Sequence, residues 1–334
     1  LFELDRIDPG YPIPEEPLRA LSGSNLLGAG TDATAHILFD VFSPPGEKSG
    51  GGDPPLLPGA GVMRVSASEK GSVLVYPKVE LRWTANGDLL QDAFVTLNND
   101  FTQGVHITAF FVTEDGSVFH SDFDMTANES AYWAASTGLP KGVGPFNTLV
   151  SPYPDPEGST DNVVRGFIVA IATNSDGEQI RWNHLYGGVT TAHYGYNDMW
   201  EYNAYTYKAL DPAVNGEVVG TPGDIQLDGV HYDLNYDCLI IDFFAANDLS
   251  DPGFGSAIGG TDNTIDTDLT LVIADMDLRQ GGDVYTTKVD CWLWNQNESG
   301  RRTHICVTLW NESLFSQLGG SFTIQHLQTD RGRA

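Results

Sequence analysis

The densest run of chemically capable side chains lies between His193 and Tyr207. It holds Tyr194, Tyr196, Trp200, Tyr202, Tyr205 and Tyr207, interleaved with Asn197, Asp198 and Glu201. Successive residues of a strand point to opposite faces, so Tyr194, Tyr196, Trp200 and Tyr202 are expected on one face of a strand spanning 194–207. Such a row can stack on sugar rings while the amide and carboxylates hydrogen-bond hydroxyls. The same residue types also fill protein interfaces and sandwich cores, so all three readings stay open. Glycoside hydrolysis would need two carboxylates across a cleft, one with a raised pKa. Asp198, Glu201 and Glu178 are the candidates, although a chain with 45 acidic residues sets some beside aromatics in any case.

Metal chemistry has one compositional lead. Asp262-Asn263-Thr264-Ile265-Asp266-Thr267-Asp268 offers oxygen donors of the kind Ca²⁺ takes, with Asp262, Asp266 and Asp268 as candidate ligands. The run lacks the central Gly and terminal Glu of an EF-hand, and a solvated turn explains it equally well. Asp248 and Asp251 are a lesser pair. The cofactor expectation is therefore none, or Ca²⁺. Motifs for a serine nucleophile elbow, a His-Glu-x-x-His zinc site, a phosphate loop and Cys-x-x-Cys are missing, which leans against an enzyme.

Cys291 and Cys306 stand equidistant from a turn centred between Glu298 and Ser299. A simple hairpin would set them opposite one another, with a cross-strand disulfide. Ile305, Val307 and Leu309 read as the inward face, which argues against the bond by turning Cys306 outward. Cys238 is then a buried thiol.

The elements that must position these residues are strands. Ser72–Trp83, Ala93–Leu97, Val105–Thr113, Val163–Thr173 and Gln179–Trp182 alternate or run apolar. Asn86-Gly87, Asp115-Gly116 and Asp176-Gly177 supply the positive-φ glycines of tight hairpins. Tyr232–Asn235, Cys238–Phe244, Leu269–Ala274, Val284–Leu293, His304–Leu309 and Ser321–Leu327 read likewise. No segment sustains a helical period. The expectation is an all-β fold of two β-sandwich domains, immunoglobulin-like or jelly-roll-like, at 62–212 and 213–334. An irregular Pro/Gly-rich arm at 1–61 precedes them. Glu80-Leu81-Arg82 and Asp277-Leu278-Arg279, each followed by Gly-Asp, form an echo that either duplication or shared strand composition produces.

The chain has 334 residues, 37 Gly, 18 Pro and a net charge of −28. That charge repels nucleic acid and anionic membranes, which bind through Lys and Arg, and it suits a salty extracellular setting. No apolar run is long enough for a membrane span. The opening Leu1 is expected of a chain trimmed of a signal peptide. Asn128, Asn297 and Asn311 stand in glycosylation sequons.

Lys70–Glu80, Ile180–Leu185, Trp294–Glu298 and Gln325–Ala334 resemble a family of uncharacterised, secreted, β-rich bacterial proteins. The likeness covers residues 70–334. Leu97-Asn98-Asn99 and Leu293-Trp294-Asn295 are more distantly similar to immunoglobulin-like modules of bacterial surface proteins. The resemblance implies secretion and β structure and brings no activity. Together these features point to an extracellular or cell-surface structural protein, a filament or coat subunit that self-associates. Its arm would insert Ile37, Leu38, Phe39 and Val41 at a neighbour's open sheet edge. The alternative is a carbohydrate-binding module built on 194–207, with a glycoside-acting enzyme third.

Overall fold

The computed structural model describes residues 67, 69–146, 152–155, 159–195, 197–235, 240–245, 264–273, 277–279, 286–295, 299–329 and 331–334, with strands also at 33–39 and 247–248. Strands hold 56% of these residues and helices 5%, so the expected all-β, sandwich-type fold is borne out. No helix among them is long and apolar enough to cross a membrane.

An N-terminal strand, β1 (Ala33–Phe39), stands ahead of one large sheet. That sheet is built from β2 (Val73–Trp83), β3 (Leu89–Asn99), β4 (Val105–Thr113), β5 (Val118–Met125), β6 (Ser130–Ala134), β7 (Tyr153–Pro154), β8 (Asn162–Thr173), β9 (Gln179–Ile180), β10 (Leu185–His193), β11 (Asp198–Asn203), β12 (Tyr205–Tyr207) and β13 (Val218–Gly220). The rest of the chain forms β14 (Asp242–Phe244), β15 (Asn247–Asp248), β16 (Thr264–Ile265), β17 (Thr267–Ile273), β18 (Thr286–Asn295), β19 (Gly300–Thr308), β20 (Trp310–Leu314), a one-turn helix α1 (Ile324–Leu327) and β21 (Arg331–Arg333).

The order along the large sheet is β11-β10-β3-β2-β8-β4-β5. Its hairpins turn where the glycines were read. Gly87, Gly116 and Gly177 all have φ near +80°, a region open to glycine at no steric cost. One face of β2, β4 and β8 packs Leu74, Tyr76, Phe111, Ile168 and Ala170 under Trp133 and Val189 of β6 and β10, forming the first core. The other face presents Val73, Val75, Phe110, Phe167 and Val169 to Tyr207, Ile225, Leu227 and Tyr232. Residues 218–232, beyond the expected 212/213 boundary, thus pack on the large sheet. β13 pairs β9, and Ala209 bridges Tyr232.

A three-stranded sheet, β1-β17-β20, lies on this second core, and a four-stranded sheet, β14-β21-β18-β19, lies beyond it. β17 serves both sides. Val272 joins the second core, while Leu269, Leu271 and Ile273 face a third, made with Phe243, Leu293, Ile305, Val307, Phe315, Phe322 and Leu327. Each fully buried aliphatic or aromatic side chain contributes about 1.5–3 kcal/mol, so all three cores hold the stack together.

Two strand expectations need correcting here. Tyr232–Asn235 is not a strand, Tyr232 making only an isolated bridge to Ala209. Ser321–Leu327 is not a strand: it makes a short 3-10 turn and then α1. Gln328 closes that helix in the left-handed conformation, and Phe322 and Leu327 are seated in the third core. The echo also falls in unlike settings, since Glu80-Leu81-Arg82 sits inside β2 whereas Asp277 only bridges Asp224.

Candidate functional site: a charged seam and two aromatic faces

The seam starts from a proline. Pro77 has no N–H to give a ladder, and the β2–β8 register slips between Tyr76 and Val79. Before the slip, even-numbered residues of β2 enter the first core; after it, Val79 and Leu81 do. Lys78, Glu80 and Arg82 are thereby turned to the face that meets β17 and β20. The bulge frees backbone groups that aromatic side chains then satisfy. The Lys78 N–H donates to the Tyr202 hydroxyl at 3.2 Å, that hydroxyl donates to the Lys78 carbonyl, and Trp310 Nε1–H donates to the Pro77 carbonyl at 2.8 Å.

Across the seam, Lys78 Nζ lies 2.6 Å from Asp268 Oδ2 of β17 and also pairs with Glu312 of β20. Arg82 pairs with Glu80 and reaches Asp155 at 2.6 Å. Arg165 of β8 pairs with Glu114, stands 3.8 Å from Glu312 and lies over the Trp310 ring at 5.7 Å. Three cations thus face five carboxylates. Oε2 of Glu80 and Oε2 of Glu312 are buried without hydrogen-bond partners. Burial, reinforced by Glu80 and Asp268, outweighs Lys78 and pushes the Glu312 carboxyl up to about 8. Burial alone would lower the Lys78 ammonium, but Asp268, Glu312 and Glu80 hold it well above its usual value. Lys78 is therefore charged and Glu312 protonated at neutral pH. The seam is largely buried and latches the three-stranded sheet to the large one.

The expected aromatic row is broken by a turn. Tyr194 sits in the β10–β11 turn, 47% exposed, its N–H bonded to Leu90. Asn197 takes φ 51°, and Tyr196 lies outside the described residues. Trp200 and Tyr202 stack, with centroids 5.8 Å apart, and the Lys78 ammonium lies 5.6 Å from the Trp200 ring. Both are half-buried against the body of the protein, Tyr202 on the first core, while Tyr207 is buried with its hydroxyl on Asn235. The candidate acids do not converge. Asp198 accepts from the Met199 N–H, Glu201 is on the face opposite Trp200, and Glu178 accepts from Asn174 at 2.8 Å in the β8–β9 turn.

Of the Ca²⁺ candidates, Asp266 accepts from the Ser316 hydroxyl and N–H, and Asp268 is held by Lys78; Asp262 lies outside the described residues. Among the described residues no group of three His, Cys, Asp or Glu side chains is set to hold a metal. The disulfide expectation is corrected by register. Cys291 opposes Thr303 and Cys306 opposes Lys288, because the β18–β19 hairpin turns earlier than the symmetric reading assumed. Both thiols are free, Cys291 half-buried on the third core and Cys306 exposed on the other face. Cys238 lies outside the described residues.

Ile37, Leu38 and Phe39 fall in β1, which runs parallel to β17 in unbroken register from Ala33 opposite Thr267 to Phe39 opposite Ile273. Val41 lies outside the described residues. Sequence reasoning passed over Trp292 and Trp294. Their spacing around Leu293 on a strand was the signal, and they stand 51% and 41% exposed.

No family model matches the chain. No curated protein matches it either. A solved structure of a Thermotoga maritima protein is similar at 11% identity over 41% of this chain and 95% of that one, with a TM-score of 0.28. A likeness of that size carries no argument about fold or function.

Proposed function

We propose that this protein is a structural subunit of an extracellular or cell-surface assembly, in which β1 of one copy completes the β1-β17-β20 sheet of the next. The observation that carries this reading is the β1–β17 pairing. It joins two strands far apart in sequence, and parallel strands share no hairpin turn, so nothing in the ladder requires both from one chain. Residues 40–72 separate β1 from β2, and their sequence includes Pro44-Pro45-Gly46, Gly50-Gly51-Gly52 and Pro54-Pro55. Closing such a loop within one chain costs entropy that grows only as about (3/2)RT ln n, so closed and exchanged forms differ little in intrinsic energy and concentration selects between them. The seam supports the reading by fixing β17 and β20 on the large sheet, so that the acceptor edge is preformed. The acidic composition and the resemblance to secreted β-rich proteins support the location.

Sedimentation and negative-stain electron microscopy over a concentration series test this. The full chain is expected to form polymers and a chain lacking residues 1–61 to stay monomeric, with a synthetic peptide of residues 31–42 shortening the full-length polymers. A deletion that polymerises like the full chain, or a full chain that is monomeric throughout, overturns it.

A further inference from the structure

The outward face of the four-stranded sheet carries two tryptophans that the fold leaves uncovered. Along β18, Thr287, Leu293 and Asn295 are buried while Lys288, Asp290, Trp292 and Trp294 are exposed. The two indoles lie nearly parallel, 18° apart with centroids 6.3 Å from each other. Of the seven tryptophans, the other five are buried or half-buried, so this pair is an exception within the protein's own pattern. Apolar surface gathered on one face marks a binding site more often than scattered residues do.

The neighbours of the pair are charged, with Lys288, Arg302 and Arg333 outnumbering Asp290 and Asp242. Arg302 of β19 stands opposite Trp292, its guanidinium 5.3 Å from the ring and donating to Asp290 at 2.9 Å, which holds it over the indole. Arg333 of β21 stands opposite Trp294 on the other side, with Nε 3.2 Å from Asp242. Lys288, with Nζ 3.9 Å from Asp290, and His304 extend the exposed face. Gly300, opposite Trp294, keeps the indole clear: a Cβ there would lie 3.1 Å from Nε1. Residues 286–334 hold five Lys and Arg against four Asp and Glu, whereas the preceding 285 residues hold twelve against 41. This stretch is therefore free of the strong negative charge that the rest of the chain carries.

We propose that this face binds an anionic polysaccharide. Pyranose rings would lie on Trp292 and Trp294, and carboxylate groups would meet Arg302, Arg333 and Lys288. The indoles supply flat apolar faces with a polar N–H at one edge, and the guanidinium groups supply forked donors that match carboxylates. The open sheet face suits an extended polymer, and its small excess of cations over acids is complementary to uronate.

Affinity electrophoresis and calorimetry of the full chain against polygalacturonate, with neutral xylan as comparison, test the proposal. Polygalacturonate is expected to retard the protein at low salt, with xylan weaker. W292A/W294A should weaken binding by about tenfold or more, the scale of one to two aromatic contacts. W292F/W294F should restore part of it, which separates stacking from misfolding, and R302A should weaken polygalacturonate binding selectively. W200A should bind as the parent does. No retardation, retardation unchanged in W292A/W294A, or xylan bound as tightly as polygalacturonate overturns the proposal. So does a W292A/W294A chain whose only change is lost self-association, which would assign the face to a contact between copies.

Discussion

The Tyr202 hydroxyl closes a two-way bridge with the backbone of Lys78, accepting from its N–H and donating to its carbonyl. An edge strand, β11, thereby repairs the ladder gap that Pro77 opens in β2. The cost of losing such a bridge is larger than the net worth of the bonds, because the backbone groups left behind stay desolvated.

Replacing Tyr202 with Phe should therefore destabilise the protein by about 1–3 kcal/mol, the penalty for unpaired buried polar groups. Urea melts of the two chains measure this. Equal midpoints would mean that water satisfies the bulge without help.

Glu312 makes stability depend on pH in a definite direction. Its folded carboxyl titrates at about 8, against an ordinary value of 4.5. The folded state then holds a proton that the unfolded chain gives up, so unfolding becomes easier as pH rises from about 4.5 through 8. Asp233, pushed by burial to about 6, adds to the lower part of the same slope. Glu312→Gln should flatten the upper part, most visibly between pH 6 and about 8.5. Parallel profiles of urea midpoint against pH for the two chains would contradict this.

Lys78 neutralises the Asp268 carboxylate and also donates to the protonated Glu312 in a buried seam, so its loss should exceed that of an ordinary surface pair. Lys78→Met leaves Asp268 and Glu312 without their common partner and should cost about 3–5 kcal/mol. Adding Asp268→Asn and Glu312→Gln to it should recover much of that, since the buried Asp268 charge that demanded compensation and the pH-dependent Glu312 carboxyl are both gone. A triple variant as unstable as Lys78→Met alone would assign the loss to packing.

The thiols should differ in reactivity. Cys306 is exposed, while burial and the neighbouring Asp290 push the Cys291 thiol up to about 11. Timed alkylation of the native protein at pH 8, read by peptide mass spectrometry, should label Cys306 well before Cys291. A linked Cys291–Cys306 peptide under non-reducing conditions would overturn the register of the β18–β19 hairpin.

Much of this fold is written locally. Asn86-Gly87, Asp115-Gly116 and Asp176-Gly177 need positive φ, and each sits at a hairpin. Of the strands they join, β2, β3, β4, β8 and β9 followed from alternation and β-branching, whereas β5, Val118–Met125, was not read from the sequence. What local pattern could not carry was parity and partner. Ser72–Trp83 reads as one strand, yet Pro77 exchanges its faces midway and sends Lys78, Glu80 and Arg82 inward to acids as distant in sequence as Asp268 and Glu312. Likewise the 194–207 aromatics form a single row only if no turn interrupts them, and the turn at Asn197 does. The cysteine pairing failed for a related reason, because a small shift in turn position moves every cross-strand partner. The arm strand was legible as an apolar run; its partner, β17, was not.

Because β17 gives Val272 to one apolar cluster and Leu269, Leu271 and Ile273 to another, neither cluster can melt while the other stays intact. Heat should therefore release both in a single calorimetric transition, with van't Hoff and calorimetric enthalpies in agreement across the region from β2 to β21.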